Sequence, residues 1–159
     1  VTFRYNEHSE RPILDDVHLS IKSGETIGIL GGTGSAKSSL VQLIPRLYDV
    51  TEGEVLVGGK NVKNYDLNSL RSSVSVVLQK NVLFSGTILE NLRSTRAGKT
   101  TILIAHRIST IEQMDKIVFI DDGKLVAIGK HDELYANCPE YKNMVDLQKL
   151  EEEGGAQNA

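Results

Sequence analysis

Apolar and polar positions change period several times along the chain, and each change predicts an element. In residues 1–5, Val1, Phe3 and Tyr5 alternate with Thr2 and Arg4, and in 17–21, Val17, Leu19 and Ile21 alternate with His18 and Ser20. Both read as half-buried strands. A tight turn at 22–25 then leads into Thr26, Ile27, Gly28, Ile29 and Leu30, an almost unbroken apolar run expected of a strand covered on both faces. After it, Leu40, Val41, Leu43, Ile44 and Leu47 recur at helical spacing, predicting a helix from Lys37 to about Tyr48 whose last turn Pro45 kinks.

Further on, 54–57 reads as a strand closed by Gly58-Gly59, and 67–71 as a short helix capped by Asp66. A strand at 74–78 is ended by Gln79, Lys80 and Asn81. Residues 100–105 form a continuous apolar strand suited to the middle of a parallel sheet. A helix over about 109–114 leads to a strand at 116–120. Asp122-Gly123 is a hairpin signal that returns the chain through 124–128. Two helices follow, the second after Pro139, and no internal repeat interrupts the order. The expected class is α/β: a parallel core with an antiparallel layer attached at its N-terminal side.

One segment carries chemistry. Gly31, Gly32, Thr33, Gly34, Ser35, Ala36, Lys37, Ser38 and Ser39 sit between the apolar strand and the helix, the context a phosphate-binding loop requires. A glycine-rich turn leaves successive N–H groups pointing at one anion, and the helix adds its unpaired first-turn N–H groups. Lys37 would reach the β- and γ-phosphates, and the Ser38 hydroxyl would ligate Mg²⁺. Ala36 stands where the pattern has its second glycine. If it lies in the first helical turn, alanine suits the helix, but its methyl group crowds the phosphates. The expected result is weakened rather than abolished binding.

Composition narrows the class. With 159 residues, a net charge of −3 and scattered basic residues, the chain shows no footprint of nucleic-acid binding. The single Cys138 excludes an internal disulfide and suits a reducing compartment. No apolar run reaches the ~18 residues of a membrane span. The chain opens without Met, inside a strand, and reads as an excised piece. The acidic and then glycine-rich residues 151–159 are expected to be a disordered tail after a domain at 1–150.

From Leu78 the reading becomes specific. Residues 78–92, with Gln79, Phe84, Ser85, Gly86 and Asn91, resemble the glutamine-loop region of ABC transporter ATPase domains of the exporter branch. Ala105, His106, Arg107, Ile108, Ser109 and Thr110 resemble the histidine switch, and 121–124 with 129–134 resemble the closing hairpin and helix. Tyr5 sits where the family places an aromatic that stacks on adenine. The resemblance covers nearly the whole chain, in the family's order. It implies a P-loop NTPase core binding ATP and Mg²⁺, with Gln79 and His106 at the γ-phosphate and Gln79 beside Ser38 at the metal. It also implies a second nucleotide-binding domain and membrane-spanning segments as partners, at the cytoplasmic face of a membrane. Read without the resemblance, Gln79 merely ends a strand, His106 packs, and Tyr5 is a strand aromatic.

The departures are as informative. The family's helical subdomain, its Ser-Gly-Gly signature and its Walker B strand ending in Asp-Glu are absent, and the chain passes from Arg93 through only Ser94, Thr95, Arg96 and Ala97 to Gly98. Of these, Ser94 and Thr95 are too short a stretch to establish a remnant of the loop after Walker B. Residues 117–122 imitate Walker B, ending in Asp121 and Asp122, but the hairpin turn argues against a metal site there. The reading is the ATP-binding domain of an exporter, which either truly lacks that middle and is then weak in nucleotide binding and deficient in hydrolysis, or belongs to a longer protein whose middle is not in this sequence. The alternative is a degenerate module that binds nucleotide without hydrolysing it. A soluble P-loop kinase or GTPase is disfavoured by the histidine switch and by the lack of a base-reading motif.

Overall fold

A computed structural model describes residues 1–73, 100–105 and 107–156, with side chains as far as residue 151. Its centre is a four-stranded sheet ordered β4-β1-β5-β6. The strands are β1 (Thr26–Leu30), β4 (Thr101–Ile104), β5 (Lys116–Asp121) and β6 (Lys124–Gly129). The strand β1 lies between β4 and β5 and runs parallel to both, with Ile27 opposite Ile102 and Leu30 opposite Phe119. That central place explains its run of apolar residues: Ile27, Ile29 and Leu30 are all buried. Its Gly28 is required by packing, since a Cβ there would stand 2.8 Å from Ile111.

Helices cover both faces. On one, α1 (Lys37–Leu43) lays Leu40 and Val41 over Ile27, Ile29, Val118 and Ile120. On the other, α3 (Ile108–Ile111), α4 (His131–Asn137) and α5 (Pro139–Ala156) close a core of Ile111, Ile117, Phe119, Leu134, Tyr141 and Val145. The α/β class and the mostly parallel core are as the sequence implies. Between β5 and β6, Asp122 at φ 43° and Gly123 at φ 74° make the left-handed turn that matches strand twist. Gly123 O accepts from Asp15 N at 3.0 Å, fastening the hairpin to the N-terminal segment.

The N-terminal layer is slighter than its alternation suggests. Residues 1–5 meet their neighbours in isolated antiparallel bridges, Thr2 with Glu52 and Phe3 with Leu14. Residues 17–21 keep alternating burial, yet form no ladder among the described residues. The strands β2 (Leu56–Val57) and β3 (Lys60–Asn61) make a separate two-stranded hairpin. A small core of Phe3, Leu14, Val17 and Leu43 holds this layer to α1.

Three features differ from expectation. Helix α1 ends at Leu43, before Pro45, instead of continuing kinked to Tyr48; proline offers no N–H, and Arg46 at φ 53° turns the chain away. Among the described strands, β4 is outermost and only half-buried, not central. Helix α5 runs through Ala156, so 151–156 are helical where a disordered tail was expected. By contrast, α2 (Leu67–Ser73) is capped as anticipated. The Asp66 carboxylate accepts from Ser69 N at 2.9 Å and from Ser69 Oγ at 3.0 Å, and these bonds hold its pKa below the usual range. The expected strand at 74–78 lies outside the described residues.

Candidate phosphate-binding site

The strand-to-helix turn takes the shape its residue types require. Gly34 adopts φ 80°, and Ser35 N donates to Gly32 O at 3.2 Å, closing a tight loop. Lys37 folds back over that loop. Its Nζ donates to Gly31 O at 2.8 Å, Gly32 O at 2.6 Å and Ser35 Oγ at 3.1 Å. The side chain is buried, and desolvation lowers its pKa from the ordinary lysine value. Among the described residues no carboxylate lies within ion-pair distance of it. A cation held by dipoles alone keeps its charge for an anion.

Ala36 is the N-cap of α1, at φ 69° and ψ 14°, and its side chain caps nothing. This settles the two possibilities left open by the sequence: the position lies before the helix, in the left-handed region, where alanine is strained and glycine is not. The expected helix-forming benefit of alanine therefore does not arise. Ala36→Gly is expected to raise unfolding free energy by roughly 1 kcal/mol and to leave ATP affinity equal or higher. Urea titration and calorimetry read the two effects; weaker binding by the glycine variant would contradict this account.

The other loop residues divide by exposure. Thr33, Gly34 and Ser38 are exposed, so the Ser38 hydroxyl is open to a ligand, while Ser39 is buried. Ser39 Oγ lies 2.9 Å from the Tyr5 hydroxyl, and Tyr5 also donates to Gln42 Oε1 at 3.4 Å. Tyr5 is thus tied to α1 and is 53% exposed, which leaves ring surface for stacking. It is not the core-facing strand aromatic of the plainer reading. Phe3 and Tyr48 meet it edge-on, at centroid distances of 4.8 Å and 5.0 Å. Tyr48 was not anticipated beside this site. No periodic signal marks it, because the chain break at Pro45 and Arg46 is what swings it there.

Asp121 belongs to the Walker B imitation that the hairpin turn argues against as a metal site. The hairpin is real, but parallel pairing of β5 with β1 ends both strands at the same edge, so Asp121 arrives beside the loop. Its Oδ1 stands 4.0 Å from where a Cβ on Gly32 would be. Gln79 and His106 lie outside the described residues, as do Ser94 and Thr95. The structure therefore brings together Tyr5, the loop 31–39, Tyr48 and Asp121.

With this geometry in hand, comparison with known proteins is decisive. A family model described as ABC transporter matches residues 14–143. The chain belongs to the ABC transporter family. Curated relatives are multidrug export ATP-binding/permease proteins of Staphylococcus aureus strains NCTC 8325, COL and the bovine strain RF122. Each is 30% identical over 235 aligned positions that cover 94% of this chain. The chain spans 40% of the length of those relatives. Among solved structures, a bacterial Atm1-family ABC exporter with ATP bound superposes with a TM-score of 0.82 at 23% identity, over 93% of this chain and 41% of that one. That likeness supports the fold. The relatives are named as export ATP-binding/permease proteins, and the family to which this chain belongs is one of ATPases. The 235 aligned positions exceed the chain's 159 residues by 76, so each relative carries at least that many residues facing none here.

Proposed function

We propose that the loop 31–39 binds the phosphates of Mg·ATP and that this chain holds the nucleotide without turning it over efficiently. The observation that carries the first half is the buried, uncompensated Lys37, ringed by Gly31, Gly32 and Ser35. Its ammonium aims into the loop whose N–H groups complete an anion cradle. Tyr5, fixed through Ser39 to the same helix, offers its ring to adenine. Magnesium suits the oxygen donors at hand, with the exposed Ser38 hydroxyl next to Lys37 as its protein ligand. When bound, the metal would neutralise charge on the β- and γ-phosphates. Gln79 and His106 are proposed as the γ-phosphate contacts on the strength of the motifs around them.

The second half rests on what the relatives carry and this chain does not. In the sequence, the excess of aligned positions agrees with a missing middle between Arg93 and Gly98. That segment would hold the carboxylate that activates water and the signature that closes on a partner's nucleotide. Without a positioned base the attacking water keeps its proton. In a full transporter, such a domain would pair with a second nucleotide-binding domain and with membrane-spanning segments, at the cytoplasmic face. Among the described residues no helix is long and apolar enough to cross a membrane. Steady-state phosphate release with Mg·ATP, against a Lys37→Ala control, tests the proposal. The expected result is release indistinguishable from the control at all protein concentrations. Turnover that depends on Lys37 would overturn the claim of deficiency.

A further inference from the structure

We infer that Asp121 makes nucleotide binding by this chain depend on a divalent cation, acting as a carboxylate at the rim of the phosphate loop. The inference rests on the phosphate-loop reading and deepens it. The strands β1 and β5 run parallel with Leu30 opposite Phe119, so the chain leaves β1 for the loop where β5 ends in Ile120 and Asp121. The two backbones approach so closely there that a Cβ on Gly31 would collide with the Ile120 carbonyl. One residue on, Asp121 Oδ1 stands 4.0 Å from the place of a Cβ on Gly32. Gly32 is also one of the two residues whose carbonyls hold Lys37. An ammonium and a carboxylate therefore both stand close to Gly32.

Asp121 is exposed, and among the described residues its carboxylate has no ion-pair or hydrogen-bond partner. Structural carboxylates elsewhere in the chain are engaged: Asp49 with Arg46, Glu25 with Lys116, Asp66 with Ser69. An unpaired negative charge beside a polyphosphate repels it, because like charges a few ångströms apart interact strongly even at a protein surface. A divalent cation placed between carboxylate and phosphate reverses the sign. A metal with oxygen preference meets that need, directly or through a bound water. Asp121 thus penalises metal-free ATP and favours the metal complex.

The experiment measures ATP affinity in excess EDTA and in excess Mg²⁺ for the full chain, for Asp121→Asn, and for Asp122→Asn as a control one residue further into the turn. In EDTA, Asp121→Asn is expected to bind ATP several-fold more tightly than the parent chain. In Mg²⁺ it gains less than the parent, so the ratio of the two dissociation constants falls by about threefold or more. Asp122→Asn should leave the ratio as in the parent. Asp121→Ser, with the same expectation, covers the case that the amide disturbs the hairpin. An unchanged ratio in both Asp121 variants overturns the inference, and so does an equal change in Asp122→Asn, which would report net charge alone. The two readings fail separately: if the parent chain binds no ATP in either buffer, or Lys37→Ala binds as the parent does, the phosphate loop itself is refuted.

Discussion

Lys37→Ala is expected to lower ATP affinity by one to two orders of magnitude. The ammonium makes three hydrogen bonds to the loop, all to neutral acceptors. Its positive charge is thus uncompensated among the described residues, and a phosphate entering the loop supplies the missing counter-charge. A hydrogen bond to a charged group contributes roughly 1.5–3 kcal/mol, which sets the size of the loss. Folding should survive the change, because burial already disfavours the charged lysine. Isothermal calorimetry on the two proteins, each checked by circular dichroism, gives the answer. Equal affinities would remove the phosphate-loop reading altogether.

The second large effect concerns the scaffold that holds β5 beside the loop. Tyr141, at the start of α5, is fully buried and meets Phe119 of β5 edge-on at 5.8 Å. Its hydroxyl lies 2.8 Å from His131 Nδ1, joining α5 to α4. Tyr141→Ala would leave a ring-sized cavity between helices and sheet, at a cost of about 3–5 kcal/mol. Tyr141→Phe removes only the hydrogen bond, at about 1 kcal/mol. Urea unfolding distinguishes these, and a loss below the phenylalanine value for the alanine variant would contradict the packing described. The phenol also links stability to pH. Burial, helped by the Glu112 charge, pushes its pKa up from 10 to about 12. The folded value lies above the unfolded one, so this contribution is complete below about pH 10 and is lost as pH rises through about 12. Tyr141→Phe should abolish that part of the alkaline loss.

Much of this protein follows from local pattern. The almost unbroken apolar run of β1 calls for cover on both faces, which points to a parallel core with helices on each side. Asp122-Gly123 could hardly serve except as a left-handed hairpin turn, and Asp66 before a helical run could only cap it. The order of glycines and Lys37 between strand and helix announces an anion cradle, since residue type there dictates backbone shape. The family, too, was legible, because its motifs are contiguous in sequence.

What the sequence by itself could not decide were matters of position in space. The conformation of Ala36 depends on how the loop enters α1, and only the folded turn shows it on the left-handed side, where its methyl group costs strain. Tyr48 reaches Tyr5 because Arg46 reverses the chain after Pro45, a turn without periodic signal. Among the described strands β4 lies outermost and is half-buried, which an apolar run by itself does not show. Asp121 is the clearest case. Its sequence neighbours explain a turn, while its nearness to Gly32 comes from pairing between strands about ninety residues apart in the chain. Local chemistry determined which elements form, and the register of distant strands decided which charges face the phosphate loop.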